Sequence, residues 1–122
     1  VSLPAMIKAH RIQDKVRAVG FDWEKRDQVW DKVSEEIREV KHELNNGQEF
    51  EKMEDEIGDL LFSVINAARL YNVEPETALE RTNRKFIKRF TYLENRAKAL
   101  NRSLKEMSLE EMEEIWQEAK SR

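Results

Sequence analysis

The sequence predicts an all-α fold, a helical bundle of four main helices plus a short C-terminal helix, completed by homodimerisation. Three observations lead there. Apolar residues recur at three- and four-residue spacing along most of the chain. Only three glycines and two prolines occur in 122 residues. Charged residues make up 39% of the sequence and aromatics 8%, which suits long amphipathic helices with solvated outer faces better than a sheet of short strands. The length fits one domain, 1–122, and a domain of that size buries only about two-thirds of the surface its unfolded chain exposes.

In the first helix Leu3, Met6, Ile7, Ile12, Val16 and Val19 keep helical spacing, and Gly20 is placed to stop it. Phe21 to Lys25 reads as a connection carrying two aromatics. A second helix covers about Asp27 to Leu44, with Val29, Val33, Ile37, Val40 and Leu44 as its apolar stripe, and Asn45-Asn46-Gly47 turns the chain. The third helix runs from about Gln48 to Asn72. Its second half, Leu60 to Ala68, is apolar nearly all round and needs cover on several sides. So small a chain has few helices to supply that cover, hence the expected second copy. Pro75 suits the first turn of a fourth helix, which carries Leu79, Phe86, Phe90, Leu93, Ala97 and Leu100. Ser108, with Glu111 three residues on, forms a capping box for a last short helix containing Met112, Ile115 and Trp116.

Composition narrows the functional classes. The formal net charge is −3, with both signs interleaved, whereas a general nucleic-acid-binding surface carries a basic excess. The chain has no cysteine, which removes disulfides and thiolate metal sites. No apolar run approaches the roughly 20 residues that span a bilayer, and no signal-peptide pattern opens the chain. A cytoplasmic protein with no nucleic-acid or membrane partner is expected. Val1 stands where an intact chain would start with Met, pointing to a piece of a longer polypeptide.

Chemistry concentrates in two carboxylate pairs. Glu36 and Glu39 lie on the second helix, Glu56 and Asp59 on the third, each pair spaced i, i+3 and so on one helix face. A short turn makes these helices antiparallel neighbours, which lets the pairs converge. Converging carboxylates repel unless a cation sits among them, and an oxygen-only ligand set favours Mg²⁺, with Mn²⁺ the substitute, over Zn²⁺. The plainer reading is a solvated acidic face, the ordinary state of Glu36 and Glu39 in so charged a chain. Asp59 argues against it: the most apolar segment follows at once, and an ionised Asp beside a core calls for a metal or a basic partner from the fourth helix. Gly58, costly inside a helix, hints at close approach by another group. A di-iron reading of Glu39-Val40-Lys41-His42 lacks the second Glu-x-x-His copy such bundles use.

Glu35-Glu36-Ile37-Arg38-Glu39 followed by Glu56-Ile57-Gly58-Asp59 resembles the Glu-Glu-x-x-Glu…Glu-x-x-Asp signature of the MazG family, all-α nucleoside triphosphate pyrophosphohydrolases. The resemblance extends to Gly20-Phe21-Asp22-Trp23, to Asn83-Arg84-Lys85-Phe86 with Arg89-Phe90, and to the closing Ile115-Trp116-Gln117-Glu118-Ala119-Lys120. It covers essentially the whole chain and is strongest to the C-terminal of two tandem domains that many relatives carry. It implies Glu36, Glu39, Glu56 and Asp59 as Mg²⁺ ligands and Lys85 and Arg89 as contacts to substrate phosphates. Lys52 and Asn83 are implied as further substrate-binding residues, and Trp116 as an aromatic near the base. Trp23 is a second aromatic able to stack there, although core packing is the common fate of both tryptophans. Independently, Lys85 and Arg89 stand i, i+4 and present two cations to one place; a solvated basic face explains them equally.

The implied reaction is Mg²⁺-dependent hydrolysis of a nucleoside triphosphate between the α and β phosphorus atoms, giving a nucleoside monophosphate and pyrophosphate. Glu36 or Glu39 would accept the proton of the attacking water. A catalytically silent helical dimerisation module of the same fold is the alternative from another class.

Overall fold

The computed structural model describes residues 4–47 and 49–122; Leu3 and Gln48, which the periodicity assigns to the first and third helices, lie outside them. Every regular element among the described residues is helical. They are α1 (Ala5–Ala18), α2 (Val29–Asn46), α3 (Phe50–Leu70), α4 (Pro75–Ala99) and α5 (Leu109–Lys120), with 3₁₀ turns at Arg26–Gln28 and Leu104–Glu106. The α2 boundaries sit two residues later than the periodicity placed them. Arg26–Gln28 form a tighter turn first, and Asn46 extends the far end by donating from Nδ2 to the His42 carbonyl at 3.1 Å.

Three helices end by the same local device. Gly20 (φ 90°), Asn72 (φ 60°) and Asn101 (φ 55°) take the left-handed conformation just past α1, α3 and α4. The next amide in each case reaches back five residues: Phe21 to Val16 O at 3.3 Å, Val73 to Ala68 O at 2.8 Å and Arg102 to Ala97 O at 3.0 Å. Otherwise unpaired terminal carbonyls are satisfied in this way, and glycine and asparagine enter that conformation with least strain.

The chain divides into two compact units, Val1–Ala78 and Leu79–Arg122, with the boundary in the first turn of α4. In the first, α2 packs along α3 and α1 packs on α3. Val29 and Val33 of α2 bury against Ala67 of α3, with Leu60, Leu70 and Tyr71 around them. The start of α2 thus meets the end of α3, as an antiparallel pair must. Trp30 Nε1 donates to the Tyr71 hydroxyl at 3.0 Å, and the Arg26 guanidinium lies 4.8 Å from the Tyr71 ring centroid, tying the 3₁₀ turn to the end of α3.

In the second unit Leu93 and Ala97 of α4 bury against Met107 and Ile115, with Tyr92, Leu104, Met112 and Trp116 packed around them. Ser108 caps α5 as expected: its Oγ accepts from the Glu111 amide at 3.1 Å, and its own amide donates to Glu111 Oε1 at 3.2 Å. Arg102 pairs with Glu111, and the hydrogen bond from Arg102 leads the effects that hold the Glu111 carboxyl below its usual range.

The apolar stripes are covered less completely than their periodicity suggests. Ile37 and Leu44 of α2 are exposed, as are Leu79, Phe86 and Phe90 of α4 and Leu100 just past its end. A helical stripe is at least about 100° wide, and α2 has one long neighbour, whereas α5 is too short to follow α4 along its length. The buried α2 stripe is Val29, Val33, Glu36 and Val40, so a carboxylate occupies the place the sequence reading gave to Ile37.

Ser108→Ala removes one half of the capping box and leaves the Glu111 amide unpaired in the first turn of α5. Urea unfolding should show a loss of about 1 kcal/mol, whereas Ser121→Ala, at the far end of α5, should lie within about 0.5 kcal/mol of wild type.

Candidate functional site

The antiparallel register that pairs Val29 and Val33 with Ala67 brings the middle of α2 against the first half of α3. Glu36, Glu56 and Asp59 each then offer a carboxylate oxygen within 4.8 Å of the others'. Glu39, one turn beyond Glu36, acts on Glu56 through its charge and as a hydrogen-bonding neighbour when one of the two is protonated. Three of the four carboxylates expected to converge therefore do so, and Glu39 adjoins them through Glu56.

Which carboxylate is buried differs from the expectation. Glu36 is only 5% exposed, while Asp59 is exposed. Leu60, next along α3, takes the core-facing place beside Val29 and Val33, and the roughly 100° step between helical neighbours turns Asp59 outward. No ion pair to Asp59 occurs among the described residues, and nothing among them lies within 4 Å of a Cβ built on Gly58. Gly58 therefore makes no close approach.

Glu36 Oε1 receives Lys32 Nζ at 2.9 Å, one helical turn back, and that hydrogen bond is the largest influence raising the lysine's pKa. Glu36 Oε2 and Glu56 Oε2 are buried with no hydrogen-bond partner among the described residues. Burial, then the charge of Glu39, then those of Asp59 and Glu36, push the Glu56 pKa upward. Two orphaned oxygens in an all-oxygen cluster, together with a carboxyl driven toward protonation, fit a hard divalent cation: the ion would use the idle lone pairs and screen the repulsion.

The carboxylates line two hollows. Glu39 and Glu56 face a shallow cleft of about 350 Å³, shared with Arg38 and His42. His42 Nδ1 lies 3.2 Å from Asn46 Nδ2 and is not one of the three converging ligands. Glu36 and Asp59 border a cavity of about 600 Å³ walled by Ile12 and Gln13 of α1, Phe21 and Trp23 of the connection, and Phe62 and Asn66 of α3. That volume is in the range of small-molecule sites. Trp23, named as a possible stacking residue, is thus on the cavity wall.

Arg69 holds the connection in place. It is buried, and its Nη2 donates to Asp22 Oδ1 at 2.8 Å and to Asn66 Oδ1 at 2.8 Å, while Nε donates to Asn66 Oδ1 at 3.0 Å. Burial works to raise the Asp22 pKa, but the Arg69 hydrogen bond, the Trp23 amide and the charges of Arg69 and Arg17 outweigh it, and the carboxyl is held low.

The remaining predicted residues sit as follows. Lys52 is exposed on α3, its Nζ 3.8 Å from Glu49. Asn83 and Lys85 are exposed on α4 and Arg89 is half-buried, all in the second unit. Trp116 packs on Phe86 at 4.9 Å between ring centroids and joins the core of that unit. Sequence reasoning missed Gln13, Lys32, Asn66 and Arg69. Two of these had a legible signal: Lys32 precedes Glu36 by four residues, and Gln13 takes a place on the apolar face between Ala9 and Val16.

The Glu56 shift carries a stability consequence. With its folded pKa above the ordinary 4.5, folding takes up a proton just above that value, and stability falls as pH rises through the folded pKa. Glu56→Gln should therefore melt a few degrees above wild type at neutral pH in chelator. The difference should shrink as pH drops into the usual carboxylate range. Calorimetry across pH checks this, and addition of a divalent cation should favour wild type.

Comparison with known proteins agrees with this geometry. Residues 25–93 match the model of the MazG nucleotide pyrophosphohydrolase domain, a stretch that contains all four carboxylates. The chain is 39% identical over 118 residues to the nucleoside triphosphate pyrophosphohydrolase/pyrophosphatase MazG of Thermotoga maritima, covering 97% of this chain and 45% of that protein. It is 42% identical over 120 residues to the nucleoside triphosphate pyrophosphohydrolase of Escherichia coli K12, covering 98% of this chain and 46% of that protein. A third relative, the uncharacterized protein YabN of Bacillus subtilis, is 48% identical over 82 residues, which is 67% of this chain and 15% of that protein. The chain thus spans a little under half the length of the first two relatives. With its carboxylate helices inside the matched region, it belongs to the MazG nucleotide pyrophosphohydrolase domain family.

Proposed function

We propose that this chain is the catalytic part of a Mg²⁺-dependent nucleoside triphosphate pyrophosphohydrolase that opens the bridge between the α and β phosphorus atoms and releases a nucleoside monophosphate and pyrophosphate. The observation that carries this reading is the meeting of Glu36, Glu56 and Asp59 within 4.8 Å, with Glu36 and Asp59 bordering a cavity of nucleoside size. The names of the Thermotoga and Escherichia relatives support the substrate class.

Glu36, Glu39, Glu56 and Asp59 would hold the cation, which when bound supplies charge neutralisation at the phosphates and acidifies a water. Lys32 fixes Glu36 Oε1 and leaves Oε2 for ligation. Glu36 is buried and already engaged by a lysine, which makes it a poor base, whereas Glu39 is exposed to solvent beside the shallow cleft. Glu39 is therefore the better acceptor for the proton lost as water adds across the phosphoanhydride. Lys85 and Arg89 supply the cations that stabilise charge on the departing pyrophosphate. Lys52 and Asn83 assist in binding the phosphates, and Trp23 or Trp116 stacks on the base. The exposed apolar residues Leu61, Phe62 and Val64 of α3 support a homodimer, and nucleotide substrates are consistent with a cytoplasmic enzyme. A silent dimerisation module would have no use for three acidic side chains packed this closely.

Asp59→Asn should lower Mg²⁺-dependent pyrophosphate release by about 100-fold or more at saturating nucleotide while leaving the helical circular dichroism unchanged. Turnover near wild type in that variant would sink the assignment. A side-by-side panel of ribo- and deoxyribonucleoside triphosphates sets the substrate range, and sedimentation of the wild type tests the dimer.

A further inference from the structure

The connection from α1 to the 3₁₀ turn at Arg26 has no regular secondary structure, yet it supplies part of the wall of the 600 Å³ cavity. Phe21 and Trp23 border the cavity beside Phe62 of α3, and all three keep exposed surface. Among the described residues Trp23 makes no backbone–backbone hydrogen bond. A segment so lightly held needs an anchor elsewhere in the fold to keep its aromatic side chains in one place.

Arg69 is that anchor. It lies in the last turn of α3, and Asn66 Oδ1 accepts both its Nε and its Nη2, which fixes the guanidinium on its own helix. Nη2 also donates to Asp22 Oδ1 at 2.8 Å, and Arg17 Nε of α1 stands 3.6 Å from Asp22 Oδ2. One cation from each of the helices on either side of the connection therefore engages the carboxylate. The Arg69 side chain is 6% exposed and that of Asp22 19%, so water competes weakly for this bond. A buried ion pair adds little net stability, because desolvation offsets much of the attraction. What this pair fixes is position. Asp22 stands between Phe21 and Trp23 in the chain, so restraining its carboxylate restrains the backbone that carries both aromatics.

We propose that Asp22 and Arg69 are positioning residues for nucleoside binding: their ion pair holds Trp23 and Phe21 in place as an aromatic wall for the base, beside Glu36 and Asp59 at the cavity's border. The inference rests on the nucleotide reading above and assigns base stacking to Trp23. The two charges are spent on each other, so they act on the ligand only through the aromatics.

The test measures kcat and KM for ATP, and the inhibition constant of inorganic tripolyphosphate, which has the phosphate chain and no nucleoside. Trp23→Ala should raise KM for ATP about 5-fold or more, the effect of one lost base–aromatic stack. Asp22→Ala leaves Arg69 without its carboxylate and should melt at lower temperature. It should also raise KM for ATP, with kcat and the tripolyphosphate constant within about 2-fold of wild type. Asp22→Asn keeps an acceptor for Arg69 and should recover part of the lost affinity. In a Trp23→Ala background, Asp22→Ala should change KM by less than about 2-fold further, because the side chain it positions is gone. This cycle decides alone where tripolyphosphate does not inhibit.

A purely structural role predicts that ATP and tripolyphosphate weaken together, or that the two substitutions add in full, and either result overturns the proposal. So does an unchanged KM in Asp22→Ala. Should that variant fail to fold, Asp22→Asn is read by the same criteria, and an unchanged KM in Trp23→Ala overturns the proposal by itself. If wild type hydrolyses no triphosphate, the catalytic reading fails. Equilibrium binding of ATP and tripolyphosphate to the same variants then decides the wall: loss confined to ATP supports it, and equal loss, no loss or no binding of ATP rejects it.

Discussion

Mutual repulsion among carboxylates on α2 and α3 is the constraint around which the first unit is arranged. Three acidic oxygens within 4.8 Å are an unfavourable arrangement for a folded chain on its own. It persists because the apolar contacts of Val29 and Val33 with Ala67 and Leu60 set the helical register independently of the charges. Packing holds the acids together, and the resulting electrostatic strain appears as an orphaned oxygen on each of Glu36 and Glu56 and as a raised Glu56 pKa. A site that costs stability when empty is one that gains most from an ion.

Lys32 moderates that strain without abolishing it. One ammonium at 2.9 Å from Glu36 Oε1 satisfies half of a buried carboxylate. A buried acid with no partner at all would tend to stay protonated, and a protonated acid is a poor ligand. With the lysine one turn back on the same helix, Glu36 has one oxygen paired and keeps the other for the cluster. The same economy recurs at Arg69, whose buried guanidinium is satisfied by Asp22 and Asn66 and so fixes both the aromatic connection and the cavity wall.

Much of this was legible beforehand, and the parts that were not share a cause. Gly20 as a stop, the Ser108–Glu111 box and the meeting of the two acidic pairs all follow from local spacing, which tertiary packing left intact. The burial of Glu36 was missed because hydropathy favoured Ile37, although the spacing 29, 33, 36, 40 fits a helical face as well as 29, 33, 37, 40 does. Asp59 was judged by the apolar run that follows it, yet burial depends on helical phase, and Leu60 holds the inward place. Gln13 interrupts an apolar face, a pattern that marks either a solvent-facing slip or a buried polar function; only the three-dimensional neighbourhood of Phe62 O separates the two.

The metal cluster and the cavity impose opposite demands on one short stretch of backbone. Acids need a polar mouth, whereas the aromatic side chains beside them favour contact with an apolar surface. α3 serves both by helical phase: Glu56 and Asp59 occupy its first half, and Phe62 and Asn66 the next turns, where residues of α1 and the Gly20–Trp23 connection join them in lining the cavity. Gly20 is decisive for that lining. Its positive φ lets α1 stop and the chain reverse within two residues, so that Phe21 and Trp23 return to the cavity that Ile12 and Gln13 already line. A β-branched residue there would strain the reversal and disturb the aromatic wall while leaving the carboxylates in place. The carboxylates and the aromatic wall are thus separable features of this fold, joined by Glu36 and Asp59 at the cavity's edge.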